Sequence, residues 1–156
     1  MTLIHPAPVR KSVVVKATAE RSFATFTSGI GRWWPRSKSI GSAPQADVVL
    51  EPHVGGRWYE RGTDGSECEW GKVLQWQAPS RVVLAWQIGS DWKFDPTLVT
   101  EVEITFTALS ASETRVEIEH RHLERLGPHA ARIREAFDSD NGWTGVLKEL
   151  SGFLRG

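Results

Sequence analysis

The stretch Asn141–Leu154, NGWTGVLKELSGFL, decides how this chain is read. Trp143, Val146, Leu147, Leu150, Phe153 and Leu154 recur at steps of three and four, the spacing that gathers side chains onto one face of an α-helix. Lys148, Glu149 and Ser151 fall on the other side. Asp138 or Ser139 suits the cap, because a short side-chain oxygen can accept from an unpaired N–H of the first turn. An apolar stripe this wide must cover something. The chain ahead of it is mostly strand, so the expected partner is a sheet. The expected seat of function is the space between the two.

Working back from the helix, Gly127-Pro128 opens a further helical stretch with Ala130, Ala131, Ile133, Ala136 and Phe137 as its apolar positions. Thr114–His122 alternates, with Val116 and Ile118 on one side and Arg115, Glu117 and Glu119 on the other. Leu98–Leu109 does the same, with Val102, Ile104 and Phe106 against Glu101, Glu103 and Thr105. Period two with one charged face marks antiparallel strands wet on one side. Further strands are expected at Arg81–Ile88, Glu67–Gln77, Arg57–Arg61 and Val48–Glu51, separated by turns at Ala78–Ser80, Thr63–Gly65 and Pro52–Gly56. Arg36–Ala46, rich in Ser, Gly and Pro, reads as a loop bordering any cavity mouth. Val9–Ala17 reads as the first strand. Thr18 caps a short helix over Ala19–Ser28, and Arg32-Trp33-Trp34-Pro35 reads as a second short helix stopped by the proline. The fold class is α+β: a curved antiparallel sheet of about seven strands, two short helices, and a long C-terminal helix across the concave face. Residues 1–156 form one domain, with 1–8 as a flexible N-terminal extension.

Composition narrows the function. Nineteen basic residues balance nineteen acidic ones, so the electrostatic footprint of a nucleic-acid or membrane-surface binder is missing. No apolar run reaches the roughly 20 residues of a membrane span, and the N-terminus lacks the apolar core of a signal peptide. A single cysteine, Cys68, points to a reducing, cytoplasmic setting. Eight tryptophans stand beside one tyrosine and one methionine. Indoles offer wide flat faces and one N–H each, which suits either a core of large rings or a cavity for an apolar or aromatic ligand.

These pieces carry a resemblance. The first strand followed by AERSFATF, then RWWP, the block EPHVGGRWYERGTDGSECEWGKVLQWQAPSRVVLAWQ, and GWTGVLKELSGFL resemble the helix-grip fold of the SRPBCC (START-like) superfamily. More narrowly, they resemble its bacterial branch named after the activator of the heat-shock-90 ATPase, over roughly residues 9–155. The resemblance implies a hydrophobic cavity between sheet and helix. It leaves the activity open, because this fold hosts lipid transfer, small-molecule sensing, polyketide cyclisation and chaperone assistance.

The candidate ligand-binding residues are Trp33, Trp34, Trp58, Glu60, Trp86, Phe106, His120, Trp143, Leu147 and Leu150. Trp33 and Trp34, adjacent on a helix, would diverge by about 100°, one entering the cavity and the other packing outside or covering the mouth. Glu60 shares the face of Trp58, and His120 shares that of Val116 and Ile118. In an apolar cavity these two could orient a ligand together with an indole N–H, or act as an acid–base pair. His120 and His122 share a strand face, but His5, His53 and His129 are scattered, so no metal site is expected. Without a P-loop or dinucleotide fingerprint, no cofactor is expected either. Arg57, Tyr59 and Arg61 are expected on the solvated face. The leading reading is a module that binds a small hydrophobic or aromatic molecule. One alternative is a cyclase, dehydratase or hydrolase using Glu60 and His120. Another is a chaperone-associated interaction protein. A homodimer through the outer sheet face is compatible with the pattern, although Glu and Arg alternate there.

Overall fold

The computed structural model describes residues 6–155. The expected N-terminal extension falls partly outside that range, up to residue 5. Beyond it, the carbonyls of Ala7 and Pro8 accept bonds from the Arg134 guanidinium at 2.6 and 3.2 Å. The strands are β1 (Val9–Val15), β2 (Gln45–Leu50), β3 (Arg57–Gly62), β4 (Glu67–Gln77), β5 (Arg81–Trp86), β6 (Thr100–Ala108) and β7 (Thr114–Arg121). They form one antiparallel sheet in the order β1-β7-β6-β5-β4-β3-β2. Consecutive strands from β2 to β7 pair with one another; four of the five connections run three to six residues, and the fifth, 87–99 between β5 and β6, is longer. β1 alone crosses to the far edge and closes on β7. The sheet curls into a half-barrel gripped by the helices.

Helix α1 (Ala19–Phe26) starts where the Thr18 hydroxyl accepts from the Arg21 N–H at 3.1 Å. It buries Phe23 and Phe26 and ends two residues short of the expected Ser28. The expected second helix over Arg32–Pro35 is instead a single 3-10 turn, Ile30–Arg32, with Trp33 and Trp34 following it. A second 3-10 stretch, Leu123–His129, precedes α2 (Ala130–Asp138); helical structure thus starts earlier than Gly127-Pro128 suggested. His122 sits in the left-handed region (φ 63°), so it leaves the strand and does not share a face with His120.

The C-terminal helix α3 (Trp143–Arg155) packs chiefly on β1. It buries Trp143, Val146, Leu147, Leu150 and Leu154, as the spacing requires. Its two edges differ from the expectation. Phe153 is 38 % exposed, whereas Ser151, assigned to the wet side, is 8 % exposed. At about 100° per residue both lie roughly 80° from the centre of the stripe, on opposite sides, and only the serine edge is covered. No helix among the described residues is long and apolar enough to cross a membrane.

Alternation holds on β6 and β7, where Val102, Ile104, Phe106, Val116 and Ile118 are buried. It fails on β3. Trp58 pairs with Gly71 while Tyr59 pairs with Glu69, which leaves Trp70 as the extra residue of a β-bulge. Trp58 and Glu60 both point inward, but Tyr59, expected to be solvated, is also buried. The Arg57 guanidinium lies 4.0 Å above its ring centroid and Arg61 5.9 Å away, so two cations cover it from the outer face.

Candidate functional site

The bulge shapes the interior. Gly71 pairs with Trp58 on one side and Trp86 on the other. A Cβ there would lie 1.7 Å from the Ala85 carbonyl oxygen, so only glycine lets β4 run this close to β5. Over this narrow point Trp58 and Trp86 meet edge to face at 5.7 Å. Trp70 lies 5.4 Å from Trp58 and 5.2 Å from Trp34. Trp143, entering from α3, is 5.7 Å from Trp86 and 6.2 Å from Trp34. Five indoles thus fill the centre of the grip, in pairings that contribute about 0.5–1.5 kcal/mol each beyond area burial.

A pocket of about 310 Å³ opens at one end of this cluster, near the lower limit for small-molecule sites. Trp34, Trp70, Trp86 and Trp143 form its inner wall. The segment 37–40 forms one side, Ile88 and Trp92 another, and the α2–α3 junction from Ala136 to Val146 the third. Trp92 is 42 % exposed and held at φ 60°, with its ring 6.1 Å from Phe137. Gly142 makes the helix junction tight: a Cβ there would lie 2.1 Å from the Phe137 carbonyl oxygen.

Glu60 is 1 % exposed and stands behind the wall. Its Oε1 accepts from Ile40 N (2.6 Å), Gly41 N (3.2 Å) and Trp70 Nε1 (3.1 Å), and its Oε2 accepts from Ser39 Oγ (2.5 Å). Four donors meet the roughly four lone-pair sites of a carboxylate. The expected alternative partners, Arg57 and Arg61, pair with Glu67 and Glu69 instead. Glu60 therefore acts as the clasp that ties the 39–41 segment to the sheet.

His120 is fully buried beneath the opposite wall, stacked on Phe137 at 4.5 Å. An indole N–H only donates, so Trp143 Nε1 (3.2 Å) gives its proton to His120 Nδ1. The ring proton then sits on Nε2 and is donated to Thr100 Oγ at 2.8 Å, and Thr100 passes its own proton to the Trp86 carbonyl at 3.1 Å. With every polar atom matched and no charge nearby, burial pushes the His120 pKa down to about 3. The ring is neutral at physiological pH.

Glu60 and His120 do not converge. Their strands β3 and β7 stand four strand spacings apart, about 19 Å along the sheet. Neither is among the other's hydrogen-bond partners, and the indole cluster lies between them. Among the ligand residues expected from sequence, Trp34, Trp86 and Trp143 border the pocket. Trp33, Trp58, Phe106, Leu147 and Leu150 belong to the packed core. Trp33 neither packs outside nor covers the mouth; its ring lies 5.2 Å from Phe26. Sequence reasoning passed over Trp70, Trp92, Phe137 and Lys38, which all line the pocket. The loop 36–46 was the one signal that pointed to this side.

The indole N–H groups of the inner wall are already used. Trp34 donates to the Lys38 carbonyl (3.2 Å), Trp70 to Glu60, Trp86 to the Ile88 carbonyl (3.2 Å) and Trp143 to His120. The one buried side-chain polar atom without a partner among the described residues, Trp58 Nε1, lies in the core. Burial raises the Cys68 thiol pKa, with Glu60 and Glu69 adding to the effect, the opposite of an activated nucleophile. No group of three His, Cys, Asp or Glu side chains among the described residues is arranged to hold a metal ion.

Two solved structures share over 30 % identity with this chain across nearly its whole length. The anthrahydroquino-gamma-pyrone synthase Txn09 is 37 % identical, with 94 % of this chain and 96 % of that one covered and a TM-score of 0.66. The self-sacrificing resistance protein CalC from Micromonospora echinospora is 33 % identical, with coverages of 95 % and 94 % and a TM-score of 0.69. The Aha1 dimer from Colwellia psychrerythraea, at 16 % identity, 96 % coverage of both chains and a TM-score of 0.63, shares the fold. No curated protein gives a significant match. A family model matches residues 16–155 of this helix-grip chain, so the chain belongs to the family described as Activator of Hsp90 ATPase homolog 1-like protein.

Proposed function

We propose that this protein binds a planar, multi-ring aromatic molecule in the pocket between the 37–40 segment, Trp92 and the α2–α3 junction. The observation that carries the proposal is the wall itself: four indoles, Phe137 and the outlying Trp92 surround a volume of about 310 Å³. Flat apolar faces at several angles suit fused rings better than a flexible alkyl chain, because offset and edge-to-face contacts need a planar partner. The 37 % identity to a synthase of an anthrahydroquinone-fused pyrone fits the same ligand shape.

That identity also supports a second reading, in which the bound aromatic is a substrate for ring closure. The acid–base pair of Glu60 and His120 does not serve it, because the clasp occupies one and burial neutralises the other. Any proton transfer would fall to groups on the pocket wall. A chaperone-contact role has no specific observation in its favour; the exposed large apolar side chains among the described residues are Val14, Val54, Trp92, Leu109 and Phe153.

Titrating the protein with a polycyclic panel such as quinizarin, anthracene and naphthalene tests the binding reading through tryptophan quenching and thermal shift. The expected result is saturable quenching that disappears in A136W, where an exposed wall residue is enlarged into the pocket. Absence of quenching and of any shift across the panel refutes it.

A further inference from the structure

One side chain on the pocket wall is unexplained by an aromatic ligand alone. Lys38 is the single residue lining the pocket that carries a formal charge. Its ammonium donates to the Asn141 carbonyl across the mouth. An ammonium has three N–H donors, and no carboxylate among the described residues lies within ion-pairing distance of Nζ. The buried carboxylate of Glu60, which clasps the next residue, already has its oxygens occupied by four donors.

The position of Lys38 is built rather than incidental. Its carbonyl accepts from Trp34 Nε1 (3.2 Å) and from Gln45 Nε2 (2.9 Å), and Ser39 beside it is fixed to Glu60. The backbone is pinned on both sides, the Lys38 N–H donating to the Pro35 carbonyl at 3.0 Å, so the side chain starts from a fixed point on the pocket wall. The inner-wall indoles have no N–H left to orient a polar ligand, which leaves Lys38 as the strongest donor facing the space. Desolvation holds its pKa below the ordinary lysine value with no acidic neighbour opposing it, as expected for a cation awaiting a counter-charge.

We infer that the molecule this pocket accepts carries an ionised oxygen — a carboxylate, phenolate or enolate — on its aromatic frame, and that Lys38 selects for it. The anion would take the two ammonium protons left free by Asn141, in a charge-assisted hydrogen bond at the half-buried edge of the pocket. This inference rests on the aromatic-binding reading above. The main rival role for Lys38 is to offset the buried charge of Glu60, a purely structural task.

Two isosteric probes separate these readings: anthraquinone-2-carboxylate and the uncharged anthraquinone-2-carboxamide, titrated into the wild type, K38M and K38Q by tryptophan quenching, with circular dichroism confirming each fold. A charge-assisted hydrogen bond corresponds to a preference of about tenfold or more. The wild type is therefore expected to bind the carboxylate at least about tenfold more tightly. Both variants are expected to lose that preference while keeping carboxamide affinity within about twofold. If K38M fails to fold, K38Q, which keeps the length and a donor, decides alone. Equal binding of the two probes by the wild type overturns the charge assignment and leaves the aromatic reading standing. A preference that survives in K38Q also overturns it, since a neutral donor would then suffice. Binding of neither probe to the wild type overturns both readings.

Discussion

Acidification from pH 7 to pH 5 should weaken the fold through His120. Its folded pKa of about 3 lies below the ordinary histidine value of 6.5, so the unfolded chain binds the extra proton throughout the interval between them. Stability from this group is fully present above pH 6.5 and is lost as pH falls toward 3. At about 1.36 kcal/mol per unit, the loss is about 2 kcal/mol at pH 5 and about 3 kcal/mol at pH 4. That is a substantial share of the 5–15 kcal/mol typical of a domain. The structural cause is the closed relay from Trp143 through His120 and Thr100 to the Trp86 carbonyl, which offers a second ring proton no acceptor. Carboxylates with depressed pKa values, such as Glu103 and Glu119, also lose stability in acid, but mainly below the ordinary glutamate value of 4.5. The difference between the wild type and a variant lacking only this imidazole, followed from pH 7 to 5, therefore isolates His120. Urea unfolding of the wild type and H120Q at pH 7, 6 and 5 measures it: the wild type should lose about 2 kcal/mol and the variant far less, whatever its starting stability. Equal slopes in the two proteins, or a wild type that gains stability toward pH 5, would refute the reasoning.

Two further outcomes follow from the clasp and the mouth. E60L strands the buried Trp70 N–H and releases the 39–41 segment, and should cost about 3–5 kcal/mol. E60Q, whose amide oxygen can take the place of Oε1 and whose nitrogen can donate to Ser39, should cost about 1 kcal/mol; urea midpoints compare them, and an E60Q as damaging as E60L would contradict the clasp. W92G removes a ring that is 42 % exposed and relaxes a backbone already at φ 60°, so melting temperature should hold while affinity for a polycyclic ligand falls about three- to tenfold; unchanged affinity would remove Trp92 from the site.

Much of the fold was legible because it is written in local periods. The strands β6 and β7 keep strict alternation, Thr18 caps α1, and the spacing of Trp143, Leu147, Leu150 and Leu154 holds on α3. The misreadings have local causes too. A single inserted residue at Trp70 breaks face parity around β3, and two arginines bury Tyr59 from the side assigned to water. One left-handed residue, His122, ends a strand that its composition would have continued.

The site was legible only in kind. A tryptophan-rich chain of this architecture implies rings facing rings, and Trp34, Trp86 and Trp143 do border the pocket. Which rings stand at the edge of empty space is a different question. Trp58 and Phe106 lie on inward faces as surely as Trp86, yet they are packed solid. The sheet, the gripping helix and the aromatic character of what lies between them follow from the amino-acid order, because side-chain period and composition are properties of neighbours in the chain. Tertiary structure alone decided that Lys38, Trp92, Phe137 and Trp143 meet around one pocket, that Glu60 is a clasp, and that His120 is a buried neutral link. Those facts depend on how the bulge, the curl of the sheet and the tight turn at Gly142 bring distant residues together, and no local pattern carries that distance.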